Sequence, residues 1–182
     1  MLGRSLGDRA ELRPLEPWCA AELSAFTDRT RAHLTPWLPW AHTVVDTESA
    51  RRFLQRYADS QAADGGRIYG IWSDDVLVGG ALFRVFDPRQ GVCELGAWLA
   101  PEAQGRGLVT RAASAMIDWA VGVRGMSRVE WLVSPANDAS IAVAGRLGMT
   151  LEGVSRGVFE MHGVRQDLQV WALLADEWTG SE

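Results

Sequence analysis

Apolar and polar positions along the chain alternate between two periods. Ala10-Glu11-Leu12-Arg13-Pro14 has the every-second-residue spacing of a short strand. Pro17-Trp18 then opens a helix to about Thr30, with Leu23 and Phe26 inward. His33 to His42, broken by Pro36 and Pro39, predicts irregular chain. Asp46-Thr47-Glu48 starts a second helix, striped by Phe53, Leu54 and Tyr57 and stopped by Asp64-Gly65-Gly66. Arg67 to Ser73 and Val76 to Val85 predict a hairpin around Asp74-Asp75. A turn over Phe86–Gly91 leads to a third, central strand, Val92 to Leu99. A helix over Leu108–Val123 carries the stripe Leu108, Ala112, Ala115, Met116, Trp119, Val123. After it come a strand at Arg128–Val133, a short helix from Ala139 to Leu147 ended by Gly148, and a closing hairpin. That hairpin runs from Met149 to Phe159, turns at Met161-His162-Gly163 and returns from Val164 to Leu173. Antiparallel strands feeding a β-α-β crossover predict mixed α/β architecture in one domain spanning 1–182.

Composition narrows the setting. With 47% hydrophobic and 23% charged residues the chain folds rather than staying disordered. Two cysteines, Cys19 and Cys93, are too few for a disulfide framework, which points to a reducing, cytoplasmic compartment. The longest stretch without Asp, Glu, Lys or Arg is Ala32 to Val45, 14 residues with two prolines, so no membrane span is expected. Met1 to Asp8 has no apolar h-region, so no secretory signal is expected. A net charge of −5 argues against a nucleic-acid partner. All 18 cationic residues are arginine, so no lysine can serve as nucleophile or phosphate ligand. Three scattered histidines give no metal-ligand spacing, and no metal is expected.

The chemistry starts at Gln104-Gly105-Arg106-Gly107, where a strand runs into a helix. Two glycines let successive N–H groups point one way, and the helix adds its free N–H groups and dipole. Such a loop suits a pyrophosphate, although an ordinary strand-to-helix turn fits the same residues. A P-loop needs a lysine that is absent, and a Rossmann fingerprint needs glycine where Thr110 stands.

Gln104, Gly107 and Val109 resemble the Gln/Arg-x-x-Gly-x-Gly/Ala acyl-CoA loop of the GNAT N-acyltransferases, with Val109 departing at the last position. Leu95-Gly96-Ala97-Trp98-Leu99 resembles the Ile-Gly-Tyr-Trp-Leu strand of the RimJ/RimL subgroup. Asn137-Asp138-Ala139-Ser140 with Arg146-Leu147-Gly148-Met149 resembles its Asn-x-x-Ser segment, and Leu151-Glu152-Gly153 follows as it does there. Arg31 through Trp40 is similar to the helix-loop of RimL-type ribosomal-protein acetyltransferases. The resemblance covers about residues 10 to 173.

It implies a mixed, mostly antiparallel sheet splayed between Val92–Leu99 and Arg128–Val133, flanked by helices, with acetyl-CoA in the splay. Backbone at Trp98 and Leu99 would hold the pantetheine arm, with an N–H near Leu99 as oxyanion donor. N–H groups of Gly105, Arg106, Gly107, Leu108 and Val109 would hold the pyrophosphate. Asn137 would reach the pantetheine and Arg146 the nucleotide phosphates, or Arg146 is a solvated helix residue. The RimL type places a thiolate-protonating serine at Ser140 and a base at Glu160. The plain alternatives are a helix cap and a surface carboxylate. Glu94 is the second candidate base, and His162 a third. The only tyrosines, Tyr57 and Tyr69, lie upstream of the acyl-CoA block. Trp37 and Trp40, with Glu94, would line the acceptor pocket; a homodimer contact or a cap over the core is the other reading of the tryptophans.

The implied activity is acetyl transfer to a primary amine, the N-terminal α-amine of a ribosomal protein in the RimL type. A small amine, another acyl donor such as succinyl-CoA, and a non-catalytic acyl-CoA-binding module all stay open.

Overall fold

The computed structural model describes residues 3–180. Met1, Leu2, Ser181 and Glu182, the ends of the expected domain, lie outside the described residues. Strands β1 (Arg4–Gly7) and β2 (Ala10–Pro14) form a hairpin, followed by a 3-10 turn at Pro17–Cys19. Helices α1 (Ala20–Leu34), α2 (Trp40–Thr43) and α3 (Thr47–Ala62) come next. Then β3 (Arg67–Ser73), β4 (Val76–Asp87) and β5 (Val92–Leu99) lead to α4 (Leu108–Asp118). The chain closes with β6 (Arg128–Val133), α5 (Asp138–Arg146), β7 (Thr150–Met161) and β8 (Val164–Leu174).

Several boundaries differ from those the sequence predicts. β1 is an extra strand whose single inward residue, Leu6, is too little for a period to show. The first helix runs on to Leu34, past Thr30. Its threonines turn their hydroxyls back on the helix, Thr27 to Leu23 O at 2.8 Å and Thr30 to Phe26 O at 2.7 Å, and are buried without loss. The predicted irregular stretch contains the single turn α2. The Leu108–Val123 helix stays α-helical only to Asp118 and finishes as a π turn over Trp119–Val123, which leaves Val123 exposed and off the stripe. α3 starts where expected: Asp46 Oδ1 accepts the Ser49 N–H at 2.7 Å and Ser49 Oγ accepts the Asp46 N–H at 2.9 Å.

The eight strands form one sheet in the order β1-β2-β3-β4-β5-β6-β8-β7. Only β5 and β6 are parallel. α1 and α3 cover one face, burying Leu23, Phe26, Phe53, Leu54 and Trp98. α4 and α5 cover the other, burying Leu95, Leu108, Met116, Val129 and Trp131. Each fully buried Leu or Phe contributes roughly 1.5–3 kcal/mol of transfer free energy, so these two layers hold the sheet in register.

Candidate active site

The site begins where the sheet comes apart. β5 and β6 pair only through Val92↔Arg128, Cys93↔Val129 and Glu94↔Glu130. Beyond Glu94 they diverge, β5 staying on β4 and β6 on β8. The β6-facing edge of Leu95–Leu99 therefore has no strand partner, and its main-chain donors and acceptors are available to an extended ligand.

The open end of that splay meets the glycine loop. Gly105 (φ +75°) and Gly107 (φ +69°) are left-handed, and Gly107 is the N-cap of α4 with no side-chain cap. The first-turn N–H groups of α4 consequently face out beside the loop's own. A Cβ on Gly105 would meet nothing within 4 Å, so the space in front is open. Arg106 contributes no side chain here. Its guanidinium is turned away, bonding Ser73 Oγ at 3.1 Å and Asp8 O at 3.0 Å. Arg111 likewise holds the β1–β2 turn through Leu6 O and Asp8 Oδ2. Leu108 is buried in the core and Val109 packs against it, so both offer backbone only. Gln104 points its amide at His33 Nε2, 3.3 Å away, tying the loop to the end of α1.

Arg146 reaches across from α5 to Thr110 Oγ1 at 3.3 Å, one turn into α4. A cleft of about 760 Å³ opens beside it, lined among others by Arg4, Thr110, Arg111, Ser114 and Trp178. Arg4 and Arg111 were not singled out from sequence, because nothing local signals that β1 lies against α4.

On the β6 side, Asn137 Oδ1 accepts the Ser140 N–H at 3.1 Å and caps α5. The cap is therefore Asn137 and not Ser140, which is free for another task. Ser140 Oγ accepts the Trp131 indole N–H at 2.9 Å. That bond occupies a lone pair and leaves the serine O–H able to donate.

The tip of the closing hairpin reaches the α1–α2 segment. His162 donates from Nε2 to Thr35 O at 3.2 Å, and its ring stands 4.9 Å from His42. The hairpin belongs to the β6 side and the α1–α2 segment to the β5 side, so this contact spans the gap. Glu160, exposed on β7 opposite Arg165, lies two residues before that tip.

Glu94 sits at the apex, 12% exposed, with both oxygens bonded by Arg84. Its register partner Glu130 accepts Arg128 Nε at 2.7 Å, and Arg128 goes on to Glu152. Hydrogen bonding to Glu94 pushes the Arg84 guanidinium up, and the Arg128 bond holds the Glu152 carboxyl below its usual range. Glu94 is thus engaged by Arg84, whereas the Glu160 carboxylate makes no hydrogen bond or ion pair among the described residues. Trp98 turns its ring to the α1–α3 core, 5.3 Å from Trp40, which also stacks on Phe53 at 5.2 Å. Trp40 packs into the α1–α3 core, in line with a cap over the core, and Trp37 is exposed. Tyr57 and Tyr69 stay remote from the loop, and burial pushes both phenols up. Among the described residues, no three His, Cys, Asp or Glu side chains are grouped to hold a metal. No helix of the described chain is long and apolar enough to cross a membrane.

A family model described as an acetyltransferase (GNAT) domain matches residues 9–150. The chain belongs to the GNAT acetyltransferase family. Among curated relatives of this GNAT chain, Bacillus subtilis YdaF, provisionally named a ribosomal N-acetyltransferase, is 28% identical over 182 residues, 97% of each chain. The ribosomal-protein-serine acetyltransferase of Escherichia coli is 24% identical, covering 81% of this chain and 83% of its own. Among solved structures, a RimL ribosomal L7/L12 α-N-protein acetyltransferase in complex with coenzyme A superposes with a TM-score of 0.88 at 24% identity, covering 95% and 98% of the two chains. Mycobacterium smegmatis RimJ gives 0.86 at 24% identity, covering 94% and 85%. At these identities the structures speak for the fold alone.

Proposed function

We propose that this GNAT enzyme moves acetyl from acetyl-CoA to the N-terminal α-amine of a protein, with ribosomal proteins as the acceptor class. The observation that carries the donor is the unpaired edge of Leu95–Leu99 running into the left-handed glycine loop. Two amides of a pantetheine arm match the edge, and a diphosphate matches the N–H groups of Gly105 to Val109. In this reading Arg146, beside Thr110 of α4, would meet the nucleotide phosphates, and Asn137, whose amide nitrogen makes no hydrogen bond among the described residues, would donate to the arm. The names of the curated relatives support the acceptor.

In this reading the neutral amine attacks the thioester carbonyl, forming the C–N bond. A main-chain N–H of β5 near Leu99 receives the oxyanion. Collapse breaks the C–S bond; Ser140 passes a proton to the departing thiolate and is reprotonated from solvent, and Glu160 takes the proton lost by the amine. A carboxylate on an exposed hairpin suits an α-amine of pKa ~7.7–8.0 better than a lysine near ~10.4. Neutralising the lysine at pH ~7.5 costs about 4 kcal/mol, against under about 1 kcal/mol for the α-amine. Exposed Trp37 would be open to the acceptor or to a second copy of the chain. We place the activity in the cytoplasm, where ribosomal acceptors are made.

The test is a competition between peptides with a free N-terminal serine or alanine and N-blocked peptides carrying one lysine, read by mass spectrometry. Acetyl on the free N-terminus is expected. Preferential lysine modification, or preference for an added aminoglycoside, contradicts the reading.

A further inference from the structure

The α3 side of the sheet carries a second, smaller cavity of about 230 Å³, lined by Phe53, Arg56, Tyr57, Ser60 and Arg84. Its donors are largely unspent. Arg56 lies over the Phe53 ring at 5.3 Å and has no carboxylate partner among the described residues. The Tyr57 and Ser60 hydroxyls make no protein hydrogen bond among them either. Arg84 forms the remaining wall, its guanidinium already on Glu94. The C-terminal end of α3 opposes an anion with a fraction of a unit charge, which the Arg56 guanidinium outweighs, the Arg84 charge being balanced by Glu94. One unpaired guanidinium and two hydroxyls around one small cavity are donors for a carboxylate or phosphate oxygen pair.

The cavity's place gives this chemistry a use. Its Arg84 wall bonds Glu94 at the apex of the splay, and its Phe53 wall stacks through Trp40 onto Trp98 of β5. It therefore flanks the face of β5 on which an acceptor would lie. We infer that this cavity is a specificity pocket for a carboxylate of the acceptor, so that favoured substrates carry an acidic side chain shortly behind the amine. The inference rests on the α-amine reading above.

The experiment compares N-terminal peptides that differ only by Glu or Gln at the third position, using the full-length wild type, Arg56→Gln and Arg56→Lys. In wild type, kcat/KM is expected to favour the Glu peptide about tenfold. Arg56→Gln should bring the ratio near one, and Arg56→Lys should keep most of it. An equal rate on both peptides in wild type, or a ratio unchanged by Arg56→Gln, overturns the pocket. A parallel titration follows the Arg56 Nε–H NMR resonance with sodium acetate and with inorganic phosphate. Displacement by acetate that is lost on adding the Glu peptide supports an acceptor pocket. Displacement by phosphate alone, with no peptide preference, makes it a free-phosphate site and overturns the assignment. If no peptide is acetylated while acetyl-CoA still binds, the α-amine reading fails, and a resonance that neither anion moves then also removes the pocket.

Discussion

The hydrogen bond between Trp131 and Ser140 leaves room for the chemical role we propose for the serine. The indole N–H is spent on Ser140 Oγ, so the serine can give a proton without unseating itself. Ser140→Ala should slow turnover by about tenfold, a modest loss because a thiolate of pKa ~8.5 is already a fair leaving group. It should also cost roughly 1–3 kcal/mol of stability by orphaning the indole donor. Trp131→Phe removes the same bond and should cost stability while leaving kcat within a few-fold. Equal rate losses in the two variants would make the serine structural. Glu160→Gln should lower the maximal rate by about 10²-fold at neutral pH and recover part of it as the pH rises and the amine deprotonates unaided. Wild-type rates in Glu160→Gln at every pH would move the base elsewhere.

At the scale of elements, what the sequence disclosed depended on how local the cause was. The glycine loop was legible because left-handed φ at Gly105 and Gly107 is a local demand on residue type. The start of α3 was legible because Asp46 and Ser49 cap each other within one turn. β1 was not, since one apolar residue in four sets no period. The facing of Glu94 and Glu130 was not, since β5–β6 register is settled by packing more than thirty residues apart. For Trp40, a pocket wall, a dimer contact and a cap over the core all stayed open, since Pro36 and Pro39 before it signal a loop and say nothing of Trp98, 5.3 Å away. That contact also depends on Gly80: a Cβ there would lie 2.2 Å from the Trp98 ring and 2.7 Å from Tyr69 O. Gly80→Ala should therefore lower stability by about 1–3 kcal/mol through overpacking. A thermal midpoint equal to wild type would mean the ring is less confined than the geometry shows.

For the whole molecule, charge acts mainly through carboxylates held ionised at the surface. Hydrogen bonds from Ser49 lower Asp46, the Arg124 bond lowers Asp64 and the Arg128 bond lowers Glu152. A carboxyl depressed in the folded state stabilises above its unfolded pKa, ~3.9–4.3, and that contribution is lost as the pH falls through the folded value. The thermal midpoint should therefore be nearly flat from about pH 7 to 5 and fall below about pH 4, less steeply in high salt. A decline already complete above pH 5 would mean that other groups govern acid unfolding.

The joining of an unpaired β5 edge to a left-handed glycine loop is tested most directly by coenzyme A binding. At a ligand concentration about 100 times Kd, linkage adds about 2.7 kcal/mol. At roughly 2–4 °C per kcal/mol for a chain of this size, that is a rise of about 5–10 °C in thermal midpoint. Gly107→Asp places a side chain at φ +69° and a negative charge where the diphosphate would lie. The account predicts a folded variant with most of the coenzyme A shift gone. A shift equal to wild type in that variant would contradict it.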